Sequence, residues 1–114
     1  MSQLMPSDIK EEVRSILAAA RTGKGRRPNF LTSFQILARL SASTRDRLIA
    51  ERVGTGKGFG PASVVSRAAQ SIPGVVVEYM DCVGLSVDVD GNSVVPSYEV
   101  CGIFRLETVD EDVE

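Results

Sequence analysis

Helical periodicity runs through the first seventy residues and stops at Pro73-Gly74, after which β-branched runs and strict alternation take over. That one change constrains the fold more than any other feature, because a chain that segregates helices from strands cannot build the alternating βαβ units of a parallel sheet. The expected class is α+β, with about four N-terminal helices followed by a small antiparallel β-meander. At 114 residues the chain is one domain, expected to have flexible ends at 1–6 and 108–114. It can bury roughly two thirds of its unfolded surface, enough for a core without disulfides or metals.

The first helix sets Ile9, Val13, Ile16, Leu17 and Ala20 on one face, with Ser7 as its cap and Gly23 as its stop. Thr32-Ser33-Phe34-Gln35 has the form of a capping box, with Leu31 and Ile36 placed as a hydrophobic staple. The second helix turns Phe34, Leu37 and Leu40 inward, and Ser43 caps a third helix through about Val53, with Leu48, Ile49 and Val53 on its core side. Pro61 opens a fourth whose buried stripe is Val64, Val65, Ala68 and Ile72. Beyond the break, Val75 to Met80 reads as a strand, and Leu85, Val87 and Val89 alternate with Ser86, Asp88 and Asp90. Asp90-Gly91 signals a tight hairpin. The last strand, about Tyr98 to Glu107, is apolar on both faces and suits a central position, while Pro96 must lie at an edge or outside the ladder.

Net charge is only −2, but its distribution is lopsided. Residues 1–70 hold twelve Lys/Arg against five Asp/Glu, a net of +7, whereas residues 71–114 hold Arg105 against ten acids, a net of −9. A basic segment joined to an acidic one points to nucleic-acid contact on the basic side, or to association through complementary patches.

The chain has no histidine, which removes Ser-His-Asp and Cys-His nucleophiles and His-ligated zinc. No carboxylate spacing singles out an acid/base pair, so the chain is read as not an enzyme and as carrying no cofactor. Cys82 and Cys101 form no CxxC pair and read as small apolar strand residues with reduced thiols. No signal segment and no membrane span is evident, and the expected compartment is the cytoplasm.

Thr-Gly-Lys-Gly occurs at 22–25 and again at 55–58, each copy after a helix and three residues before a proline, as in a duplicated helix-loop-helix. The second copy does not make a P-loop, which would need glycine where Glu51 stands and Ser or Thr where Gly58 stands. Asp88, Asp90, Asn92 and Glu99 have partial EF-hand spacing, but Ser93 replaces the turn glycine and hairpin chemistry explains Asp-Gly-Asn better.

The run Gly58-Phe59-Gly60-Pro61 resembles the helix-hairpin-helix DNA-binding motif, which places a Gly-hydrophobic-Gly turn just before its second helix. The resemblance implies Gly58 and Gly60 as turn glycines and backbone N–H groups at the helix start as phosphate ligands. The order of elements is also similar to winged-helix modules, with two departures: no short strand is evident between the first two helices, and the hairpin tip is acidic. These readings make the chain a small DNA-binding protein, a transcriptional regulator or accessory factor. Its expected phosphate and base contacts are Arg21, Lys24, Arg26, Arg27, Arg45, Arg47, Lys57, Gly58, Gly60 and Arg67. Arg45 and Arg47 are placed to reach base edges. The expected partner is double-stranded DNA, with a homodimer as a further expectation. The alternative is a protein-interaction module or inhibitor, DNA-mimicking through its acidic β half.

Overall fold

A computed structural model describes residues 4–20, 28–52, 60–89, 91–96 and 99–107. Four helices come first: α1 (Pro6–Ala18), α2 (Ser33–Arg39), α3 (Ala42–Arg52) and α4 (Gly60–Gln70). A two-residue strand, β1 (Leu31–Thr32), lies between α1 and α2, and β2 (Val75–Asp81), β3 (Val87–Val89), β4 (Asn92–Val94) and β5 (Val100–Leu106) follow the helices. The protein is therefore an α+β fold, with helices N-terminal and strands C-terminal.

β1 corrects the expectation that no strand separates the first two helices. Two residues are too few to show a period, and Leu31 and Thr32 become a strand only because they pair with Phe104 and Ile103 of β5. The main sheet has the order β1-β5-β2, antiparallel throughout, and β3 and β4 form a separate ribbon inserted between β2 and β5. The apolar last strand is central, as its two-sided pattern requires. Of the expected Asp90-Gly91 turn, Asp90 lies outside the described residues; Gly91, just before β4, takes φ +83°, a left-handed value that glycine adopts without strain. Pro96 lies outside the ladders.

The helix starts show why the chain breaks where it does. Thr32 Oγ1 accepts from the Gln35 N–H at 3.1 Å while Gln35 Oε1 accepts from the Thr32 N–H at 2.9 Å, completing the expected capping box. Leu31 and Ile36 are both buried in the main core. α1 starts earlier than a cap at Ser7 suggests. Pro6 takes its first position, where a missing N–H costs nothing, and Asp8 Oδ2 accepts from the Met5 N–H at 2.7 Å. α3 likewise begins ahead of Ser43, since the Ser41 hydroxyl faces Thr44 across its first turn at 2.9 Å.

α4 is the hub, packing on α1, α2 and α3 and reaching β2 and β5. Its stripe of Val64, Val65 and Ala68, with Ile72 just beyond, is buried as its spacing predicts. Ala62 and Ala69 are buried too, and these small side chains let the neighbouring helices approach closely. Ile9, Val13, Leu17, Ala20, Leu37, Leu40, Leu48, Val89, Phe104 and Leu106 complete the main core.

A second apolar cluster joins Phe34 of α2, Ala62 of α4, Cys82 and Cys101. Here the structure overturns the reading of two reduced thiols: Cys82 and Cys101 are joined in a disulfide, with Cα atoms 6.1 Å apart. The reason is register. Met80 faces Cys101, so Cys82, two residues further along the same side of the strand, lies diagonally across from it at the sheet's end. Nineteen residues of sequence separation hid this neighbourhood.

Candidate nucleic-acid interface

The acids of the helical half are largely engaged in helix ends. Glu12 of α1 accepts from the Ser41 N–H and, at 2.9 Å, from the Thr44 hydroxyl, so one carboxylate reaches across 29 and 32 residues to cap α3. A negative charge at a helix N-terminus is stabilising in itself. Glu51 of α3 accepts from the Leu4 N–H at 2.7 Å with one oxygen and pairs with Arg47 through the other. Asp8 holds the start of α1.

The cations divide into two groups. Arg45, expected to reach base edges, instead folds back: its side chain is mostly buried, Nη1 donates to the Leu40 carbonyl at 3.5 Å, and Nε lies 3.7 Å from Asp46. Arg47 is exposed but tied to Glu51 one turn on. Lys10, Arg14, Arg39 and Arg67, by contrast, have no ion pair among the described residues, and the three arginines are exposed. Neither α2 nor α4 contains an acid, which is the sequence signal that marks Arg39 and Arg67 as unneutralised.

On α4 the exposed positions are Ser63, Arg67 and Gln70, spaced four and three residues apart and so on one face. Gln70 Nε2 donates to the Ser66 hydroxyl at 3.1 Å, which adds Ser66 to the same polar edge. Serine, arginine and glutamine are side chains that can hydrogen-bond base edges. Gly60 is the first residue of α4, and Pro61 the second rather than the first. Gly58, Lys57, Arg21, Lys24, Arg26 and Arg27, with both Thr-Gly-Lys-Gly segments, lie outside the described residues.

The acidic half is differently arranged. Arg105 stacks on the Phe30 ring at 4.5 Å from its centroid and pairs with Glu107, so its charge is used locally. Asp88 faces Ser93 across the β3–β4 ribbon, so the EF-hand-like spacing runs along a hairpin. Among the described residues no group of three or more His, Cys, Asp or Glu side chains could hold a metal ion, and no helix is long and apolar enough to cross a membrane. Compared with known protein families, curated proteins and solved structures, the chain matches none.

Proposed function

We propose that this chain is a small DNA-binding protein, a transcriptional regulator or accessory factor, that lays its helical half against double-stranded DNA. The observation that carries this reading is the division of charge within that half. Three of its five acids, Asp8, Glu12 and Glu51, are held at helix ends by backbone N–H groups and a hydroxyl, while Lys10, Arg14, Arg39 and Arg67 are left unpaired among the described residues. Unpaired surface cations are what a phosphate backbone rewards, because each phosphate they neutralise releases condensed counterions.

One feature of the fold agrees with a winged-helix arrangement: β1 supplies the short strand between the first two helices and pairs with the last strand. The ribbon of β3 and β4 holds the wing's place in the element order but packs on α2, with Val89 buried in the main core. Its Asp88 is acidic, so the wing is assigned no phosphate contact. The base-reading element is α4 rather than the start of α3: Arg45 is folded back on Leu40, while Ser63, Arg67 and Gln70 stand in one exposed row. The basic connectors containing Arg21, Lys24, Arg26, Arg27, Lys57 and Gly58 are assigned contacts to the phosphate backbone, with Gly60 at the first position of α4.

Fluorescence anisotropy of a labelled random-sequence duplex, titrated at several salt concentrations, tests the reading. Six phosphate contacts give a slope of log affinity against log salt of roughly −5. A slope near zero, or no binding at low salt, would overturn it and leave the acidic β half as the interacting surface. Replacing Lys24, Arg26 and Arg27 with Glu should abolish binding, while changing Asp110, Glu111 and Asp112 to Lys should spare it.

A further inference from the structure

β2 is an edge strand: the sheet order β1-β5-β2 leaves its other side without a neighbour among the described residues. The ladder shows which of its backbone groups are left over. Glu107 N–H donates to the Gly74 carbonyl and Cys82 N–H to the Glu99 carbonyl, each at 2.7 Å, and both pairs continue the β2–β5 register. In an antiparallel ladder such bonded pairs alternate with unbonded ones. Even-numbered residues from Gly74 to Cys82 therefore aim their N–H and C=O groups at β5. Val77, Tyr79 and Asp81 aim theirs outward, where the described structure gives them no backbone partner.

Seven consecutive residues pair with β5 without a bulge, and the strand Val-Val-Val-Glu-Tyr-Met-Asp contains no lysine and no proline. Bulges, lysine and proline are among the devices that keep an edge from pairing with another chain, and of charged side chains β2 has only Glu78 and Asp81. The same end of the sheet carries exposed apolar side chains: Tyr79 is 70% exposed, Val83 72% and Val100 56%. They border a shallow open hollow of about 380 Å³, completed by Met80, Asp81 and Glu99.

We propose that β2 pairs antiparallel with β2 of a second copy of this chain, about a two-fold axis through Tyr79, joining two three-stranded sheets into one. The register follows from charge and backbone direction, and the occupant from the exposed apolar side chains of Tyr79, Val83 and Val100, which a second copy carries at the same end of its sheet. With the axis at Tyr79, the outward groups of Val77, Tyr79 and Asp81 meet their counterparts and form about six hydrogen bonds. Glu78 then faces Met80 of the second copy, Asp81 faces Val77, and the two Tyr79 rings are direct neighbours. An axis at Glu78 would set two carboxylates opposite each other, a destabilising pair. The Tyr79 register also brings the two apolar hollows to either side of the axis, where a second copy covers what one copy exposes. A two-fold pairing of this kind closes on itself and stops at the dimer.

Sedimentation equilibrium of the full chain without DNA, from about 1 μM to about 1 mM, reads the association directly. The expected result is a monomer–dimer equilibrium with nothing larger. Tyr79→Lys should weaken the dimer at least about tenfold. Val77→Pro, which removes an outward N–H and leaves the β5 ladder intact, should do the same. Circular dichroism at the lowest concentration checks that both variants keep the fold. Amide exchange on the unmodified protein needs no variant: Val77, Tyr79 and Asp81 should gain protection as concentration rises, while Glu78 and Met80 are protected throughout. A monomer up to about 1 mM would overturn the proposal. So would a dimer in which the Val77 and Tyr79 amides stay unprotected, since its contact would lie elsewhere. The measurement contains no nucleic acid, so its failure is distinct from failure of the DNA-binding reading.

Discussion

Glu12 illustrates how much a single side chain can settle. Its two carboxylate oxygens take the Ser41 N–H and the Thr44 hydroxyl, fastening α1 to the first turn of α3. Replacement with Ala should cost about 1–2 kcal/mol, the range for hydrogen bonds to a charged group, measured by urea unfolding. Glu12→Gln should cost less, because the amide keeps an acceptor but loses the favourable charge at the helix end. Thr32→Ala should cost about 1 kcal/mol through the cap of α2. The Thr32 cap was legible in the sequence because its two partners are three residues apart; the Glu12 cap was not, because its partners are brought together only by the packing of two helices. Arg45 is the converse case. Its position near the start of a helix suggested an outward reach, yet the short Leu40-Ser41 break places a carbonyl within its grasp and it turns inward.

At the scale of elements, long amphipathic segments were readable and short or tertiary ones were not. α1 and α4 declare themselves by spacing, since a buried stripe must recur every three or four residues. β1 has no such signature. The β3–β4 ribbon shows both kinds of information: its turn is written in Asp90-Gly91, but its tether, the Cys82–Cys101 bond, depends on how β2 and β5 pair. That bond closes the segment holding the whole ribbon, and loop-closure entropy of a segment this long is worth roughly 3 kcal/mol. Reduction, or replacement of both cysteines with Ala, should lower unfolding stability by about that amount. Protection from amide exchange should fall first at Leu85, Val87 and Val94, which pack against the disulfide's cluster.

Across the whole molecule, charge and topology work in opposite directions along one chain. The helical half leaves Arg39 and Arg67 exposed on two acid-free helices that pack together, whereas β2 carries Glu78 and Asp81 at the open edge of the sheet. Arg39→Ala with Arg67→Ala should weaken duplex binding and reduce the salt slope by up to about two, since each arginine neutralises about one phosphate. Their effect on thermal stability should be small, since exposed and unpaired side chains contribute little to the folded state. Replacing Gln70 with Ala should leave the salt slope unchanged and act instead on preference between duplex sequences.

What the amino-acid order determined alone is the kind of fold and the separation of charge: periodicity and composition are local, and each residue carries them wherever it lies. Which cations remain available and where the sheet ends are different quantities. Lys10, Arg14, Arg39 and Arg67 are unpaired among the described residues while Glu12 and Glu51 are drawn to helix ends, and β2 is an edge because β5 comes back between it and β1. Both outcomes depend on contacts between residues far apart in sequence, and such contacts exist only once the helices and strands have packed.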